Sequence, residues 1–282
     1  MNPHMLVLGL GYTATRLAGR LRGDGWRVTG VRRSATPDTL AFDDEPAVCA
    51  AIARATHILS SVPPQGDDDP VLSRYGAAIA AAPARWVGYL SSTGVYGDAG
   101  GAWVDESAPV GQGRRSARAA ADLAWGALRP DIVRFRLPGI YGPGRSALER
   151  VAEGKAHRID LPGQVFSRIH VDDIVGGVLA SFDGPPGIYN LADDLPCPQN
   201  RVMEAACDLL GLPHPPLLTL EQANLSPMAR AFYAENRRVA NGRARRLLGW
   251  SPRHPTWREG LAACFVESVF HSPQPPSLLT LP

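Results

Sequence analysis

Among the four cysteines, Cys49, Cys197, Cys207 and Cys264, there is no Cys-x-x-Cys pair. That excludes the common zinc spacings and leaves no disulfide framework, so reduced thiols are expected. The seven histidines are scattered too, with no His-x-x-x-His or facial-triad spacing, and no metal is expected. An excess of charge of one sign is also missing. Lys and Arg number 29 against 27 Asp and Glu, a formal net charge of +2. Such a balance gives no strong general field for nucleic acid or an anionic membrane surface, although arginines gather locally at 114–118 and 237–246. No apolar stretch approaches the length of a membrane span. The run at 5–10 is too short for a signal-peptide core and has no basic flank. The expectation is a cytoplasmic chain whose partner is a small molecule, with neither nucleic acid nor membrane.

What is present is core-forming residues and a rhythm. Hydrophobic residues make up 45% of the 282 positions and charged residues 20%. That suits one large α/β domain, or a domain with a smaller lobe, and argues against disorder. The most informative segment is Gly9-Leu-Gly11-Tyr12-Thr13-Ala14, a G-x-G-x-x-A turn between an apolar strand at 5–8 and an amphipathic helix at 13–22. Gly9 allows the tight turn, and Gly11 lets the backbone approach a pyrophosphate. Ala14 keeps the helix close to the strand. The helix N-terminus, with Tyr12 and Thr13, offers N–H groups to an anion.

Strand patterns at 27–32, about 40–42, 57–62, 86–90 and 131–135 alternate with helix patterns at 45–54, 69–82 and 116–128. Asp69 reads as a helix cap, with Pro70 in the first turn. This α/β series predicts a doubly wound parallel sheet. Ligands of such sheets lie outside the carboxyl ends of the strands, where Ser61 leaves the 57–62 strand. From 138 onward glycine and proline become frequent, with helix patterns at 171–181, 201–210, 243–248 and 257–269. The expected organisation is a nucleotide-binding core at 1–137, completed by parts of 164–192. A small substrate lobe follows from 138–163 and 193–271, and a Pro-rich tail from 272–282.

The second strand pattern ends Val31-Arg32-Arg33-Ser34, where an acidic residue would hold the ribose hydroxyl of NAD. Two arginines and a serine suit a 2′-phosphate instead, so NADP is expected over NAD.

Several segments together resemble the extended short-chain dehydrogenase/reductases, the NAD-dependent epimerase/dehydratase family. They are the glycine turn, Tyr89-Leu-Ser-Ser92-Thr93-Gly-Val-Tyr96-Gly97, Arg136-Leu-Pro-Gly-Ile-Tyr141-Gly-Pro-Gly144, Arg168-Ile-His170-Val-Asp172-Asp173, Ile188-Tyr-Asn190-Leu and Leu247-Leu-Gly-Trp250-Ser-Pro252. Their order and spacing match from about residue 5 to 265. The resemblance implies a Rossmann core with a substrate lobe, and oxidation or reduction of a carbon centre through a nicotinamide. It places Ser92, with Thr93 beside it, at the family's Ser/Thr position, where a hydroxyl bonds the reacting oxygen. The family's Tyr and Lys positions fall on Arg114 and Arg118. A guanidinium has only donors and cannot shuttle a proton as the phenol does. Arg118 can still meet the nicotinamide ribose. The chain thus resembles the atypical branch, which lacks the usual tetrad.

Tyr96, four residues past Ser92, offers a phenol from another direction, against the plainer alternative of a ring packed under the lobe. Tyr141 carries the same ambiguity. In this family the segment around His170 is mainly structural. Arg114, Arg145 and Arg168 are candidates for the lobe side of the crevice, and two of them converging would suit a carboxylate or phosphate. The substrate side is therefore read as Thr93, Arg114, Tyr141 and Arg168, for a small anionic or sugar-like molecule. Helices at 77–82 and 117–127 could support a homodimer. Two functions stay open: an NADP-dependent oxidoreductase or epimerase with a rearranged proton donor, and a catalytically silent NADP-binding sensor. A weaker third is a lyase or isomerase without hydride transfer.

Overall fold

The computed structural model describes residues 3–111 and 116–271. Arg114 and the 272–282 tail lie outside the described residues. Seven parallel strands form the central sheet, in the order Gly187–Asn190, Ile132–Leu137, Trp86–Ser92, His57–Ser60, His4–Leu8, Arg27–Arg32, Thr39–Ala41. All six neighbouring pairs are parallel. The chain builds outward from His4–Leu8 in one direction, then returns to its other side with His57–Ser60. The crevice where a doubly wound sheet binds its ligand therefore opens between the carboxyl ends of those two strands.

The sheet is buried on both faces, which explains why its central strands read as continuous apolar runs. On one face Val7, Leu59 and Phe135 pack against Leu17 and Leu21 of helix Tyr12–Gly23 and Ile174 and Val178 of helix Val171–Ala180. On the other, Leu8, Ile58 and Val87 meet Val48 and Ile52, Val71 and Ile79, and Trp125 from three further helices. Ala244 and Trp250 join the first of these cores, so the segment around 244–250 packs with the sheet. A separate core, including Leu148, Val151, Met203, Cys207, Trp257 and Leu261, is built by helices Ala147–Ala152, Gln199–Leu210 and Trp257–His271.

Caps fix the helix starts. Asp69 accepts from the N–H groups of Val71 and Leu72, both at 3.0 Å, and from Trp125 Nε1 at 2.9 Å. Helix Ala147–Ala152 escaped the periodicity reading because it is short. Its capping box is nonetheless written in the sequence as Ser146-x-x-Glu149: Ser146 Oγ accepts from Leu148 N–H at 3.1 Å, and Glu149 accepts from Ser146 N–H at 2.6 Å. No helix among the described residues is long and apolar enough to cross a membrane.

Candidate functional site

The glycine turn sits at the predicted crevice. Gly9 has φ +88°, and a Cβ there would stand 2.7 Å from Val62 and 3.2 Å from Ser61 Oγ, so only glycine fits. Its N–H donates to Val31 O at 3.0 Å, and Ser61 Oγ donates to its carbonyl. Gly11 is different. Its φ of −91° suits any residue, and a Cβ there would meet nothing within 4 Å. The space above Gly11 is open, and it lies at the start of a twelve-residue helix that has no side-chain cap and no acidic residue in its first turn. Those N–H groups and the positive end of the helix dipole are thus left for an external anion, which is what a pyrophosphate needs. Ala14 is buried against the sheet core, as the turn requires.

A cleft of about 420 Å³ runs from this turn. Its core-side wall includes Gly11, Tyr12, Thr13, Ser61, Ser92, Thr93 and Arg118. Ser92 caps a single helical turn, accepting from Gly94 N–H at 3.1 Å. That bond leaves its O–H free to donate into the cleft. Arg32, Arg33 and Ser34 are exposed at the tip of the adjacent strand, directly after the Leu8–Val31 pair of the register.

The rest of the cleft lining includes Arg145, Val165, Phe166, Ala231, Phe232, Glu235, Arg237 and Val239. Arg145 lies over the Tyr12 ring at 5.4 Å. The Tyr12 hydroxyl donates to Pro143 O at 3.0 Å, and burial pushes its pKa up to about 12. Arg237 donates to Gly97 O at 2.6 Å and to Glu235 at 2.8 Å, while Glu235 Oε1 is buried with no hydrogen-bond partner among the described residues. The residues around Phe232 and Glu235 carry no motif and no clear period, which is why the sequence did not mark them.

Three residues expected to meet the substrate, Arg168, Tyr141 and Tyr96, do not line this cleft. Arg168 is buried, and its guanidinium is taken up by Phe166 O at 2.9 Å, Cys197 O at 3.2 Å and Gln199 at 2.8 Å. Tyr141 packs its ring edge-on to His170 at 5.3 Å, with its hydroxyl buried against Gly260. Tyr96 donates to Asn190 Oδ1 at 2.8 Å and accepts from Arg136 at 3.1 Å. Burial raises both phenols' pKa values. Lys155, the single lysine of the sequence, is exposed and paired with Glu153 at 2.8 Å.

Among the described residues one group of ligand-type side chains does converge, across some eighty residues that no local spacing links: His170, Asp173 and His254. Their atoms are already committed. His170 Nδ1 accepts from Asp172 N–H at 3.2 Å, and Asp173 accepts from the N–H groups of Arg253 at 2.5 Å and His254 at 3.2 Å, holding that loop to the helix. This agrees with a structural part for the segment.

Buried titratable groups set a pH dependence with opposing signs. Burial, with His254 beside it, pulls His170 down to about 4. Burial and the nearby Arg85 do the same to His57. Both take up a proton near pH 6.5 when unfolded, so the stability they contribute is complete above 6.5 and is lost as the pH falls towards 4. Burial pushes Asp193 up to about 7, and its Oδ2 has no hydrogen-bond partner among the described residues. The folded state therefore loses stability through Asp193 as the pH rises from about 4 to 7. Asp193→Asn keeps the acceptor that Leu195 N–H uses at 3.2 Å. We expect it to be more stable than wild type at pH 7.5, by up to roughly 4 kcal/mol at about 1.4 kcal/mol per pH unit. It should also lose stability more steeply between pH 6.5 and 4.5. Urea unfolding at these pH values checks both; equal or lower stability at pH 7.5 contradicts the reading.

No family model matches the chain. A functionally unknown conserved protein from Silicibacter pomeroyi has a solved structure 42% identical to this chain, with a TM-score of 0.86, covering 94% of this chain and 99% of that one. The 3-diazoavenalumate denitrifying reductase of a Streptomyces species is 34% identical over 139 residues, 45% of this chain and 45% of the reductase, so the match spans less than half of either. The human epimerase family protein SDR39U1, solved with NADPH, shares the fold at 18% identity and a TM-score of 0.75, covering 93% of this chain and 99% of that one. Other chains of this fold are solved with NAD. The chain is thus a relative of the Silicibacter pomeroyi protein over nearly its whole length, and it has the fold of epimerase-type proteins solved with NAD or NADPH.

Proposed function

We propose that the chain is an NADP-dependent oxidoreductase that acts on a small substrate without the family's Tyr/Lys pair. The observation that carries this reading is one cleft that joins an uncapped helix N-terminus at Gly11 to the hydroxyls of Ser92 and Thr93. The nicotinamide supplies the hydride chemistry when bound. The chain's own part is to hold and orient. Gly11, Tyr12 and Thr13 cradle the pyrophosphate, and Arg118 meets the ribose. Ser92, with its acceptor lone pair engaged by Gly94, donates its O–H to the reacting oxygen. Arg145 on the opposite wall supports an anionic group on the substrate.

The preference for the phosphorylated cofactor rests on Arg32, Arg33 and Ser34, since structures of this fold hold either NAD or NADPH. Replacing Arg32 and Arg33 together by Ala should weaken NADPH about 10- to 100-fold, at roughly 1.5–3 kcal/mol for charge-assisted bonds, and leave NADH nearly unchanged. Fluorescence titration with both nucleotides measures it. Tighter NADH than NADPH in the wild type would sink the preference.

A second reading, a silent nucleotide-binding sensor, is favoured by the engagement of the Tyr96 hydroxyl and by Lys155 standing outside the cleft lining, paired with Glu153. It shares the cradle and differs in turnover. NADPH oxidation over a panel of aldehydes and keto acids separates the two, and binding without any turnover supports the sensor. A homodimer through helices Pro70–Ala80 and Ser116–Leu128, where Leu123 is exposed, belongs to either reading. A monomer mass by light scattering rejects it.

A further inference from the structure

One wall of the cleft ends in an aromatic stack that stops short. Phe166 and Phe232 lie face to face, with centroids 4.5 Å apart and planes within 3°. Tyr233 braces both edge-on, at 5.6 Å and 86° to Phe166 and 6.0 Å and 87° to Phe232. Phe166 is buried beneath, while Phe232 keeps 43% of its surface exposed at the cleft. Among the described residues, Phe166 and Tyr233 are the ring contacts of Phe232. The same wall also carries the aliphatic Val165, Ala231 and Val239 and the charged Glu235 and Arg237.

We propose that this face seats a planar aromatic ring of the substrate, with Phe232 as the residue that selects it. The inference rests on reading the cleft as the substrate site of a nicotinamide oxidoreductase. A ring laid on Phe232 extends a stack that Tyr233 already holds in place, so little side-chain entropy is lost on binding. A flat aromatic ring gains the offset stack that a saturated ring cannot make on Phe232. An acidic group on the aromatic ring has Arg145 on the same cleft.

The test compares benzoate with cyclohexanecarboxylate on NADP-saturated full-length protein, by saturation-transfer NMR titration. The two probes share their carboxylate and carbon count, and the saturated one is the more hydrophobic, so area burial alone favours it. The expected result is benzoate binding about fivefold more tightly, the increment that ring stacking adds beyond area. Phe232→Leu should abolish that preference, Phe232→Tyr should retain it, and neither should change NADP affinity. Equal binding of the two acids, tighter cyclohexanecarboxylate, no binding of either, or a preference that survives Phe232→Leu overturns the proposal. Failure of NADP itself to bind overturns the underlying oxidoreductase reading instead, and is seen before any acid is added.

Discussion

Asp122→Ala is expected to lower the unfolding free energy by about 3–5 kcal/mol, the range for breaking a buried ion pair and leaving its partner charged. Asp122 is fully buried on helix Ser116–Leu128. Its Oδ1 accepts from Arg136 at 2.7 Å and Arg134 at 3.1 Å, and its Oδ2 from Ser91 at 2.7 Å and Arg136 Nε at 3.2 Å. Arg136 is 2% exposed and passes the network on to Tyr96, which donates to Asn190. One carboxylate thus ties a helix to strands Trp86–Ser92 and Ile132–Leu137, and through Arg136 to Gly187–Asn190. Removing it strands a guanidinium where water cannot reach. Urea unfolding at pH 7.5 measures the loss, and a change below about 1 kcal/mol would mean that the network relaxes freely. Because Ser91 precedes Ser92, the same variant should also loosen the floor of the cleft.

The second large effect is functional and should leave stability alone. Gly11→Val is expected to weaken NADPH about 100-fold, equivalent to losing one or two charge-assisted bonds at roughly 1.5–3 kcal/mol each. The fold has no need of glycine at this position, since its φ is ordinary and its Cβ direction is open. Among the described residues nothing stands within 4 Å in that direction, so a valine there is expected to displace a ligand close to the helix N-terminus. Gly9 offers no such separation, because a side chain there collides with Val62 and distorts the turn itself.

Local backbone demands made part of this molecule legible in its sequence. Gly9, Gly11 and Ala14 announce a turn whose geometry depends on few distant residues, and Asp69-Pro70 announces a cap in the same way. The alternating strands and helices made the doubly wound sheet legible, because its central strands are buried on both faces and its helices on one. The lobe side was harder to read. Arg168 and Tyr141 stand in recognisable motifs, yet motif position says nothing of where a long side chain turns. Packing against Cys197, Gln199 and Gly260, all distant in sequence, turned them inward. Phe232 and Glu235 reach the cleft from a six-residue helix and the turn after it, too short to show a period. Asp122 looked like one more polar residue on an Ala-rich helix, and only the sheet behind it shows that it faces two arginines.

The central claim is that the uncapped helix N-terminus at Gly11 cradles the cofactor's pyrophosphate. The most direct measurement is a fluorescence titration of NADPH against wild type and Gly11→Val, with thermal unfolding recorded for both. The account predicts saturable binding by the wild type, binding about 100-fold weaker in the variant, and unfolding curves that nearly coincide. No saturable binding by the wild type, or equal binding by a folded Gly11→Val, would contradict it.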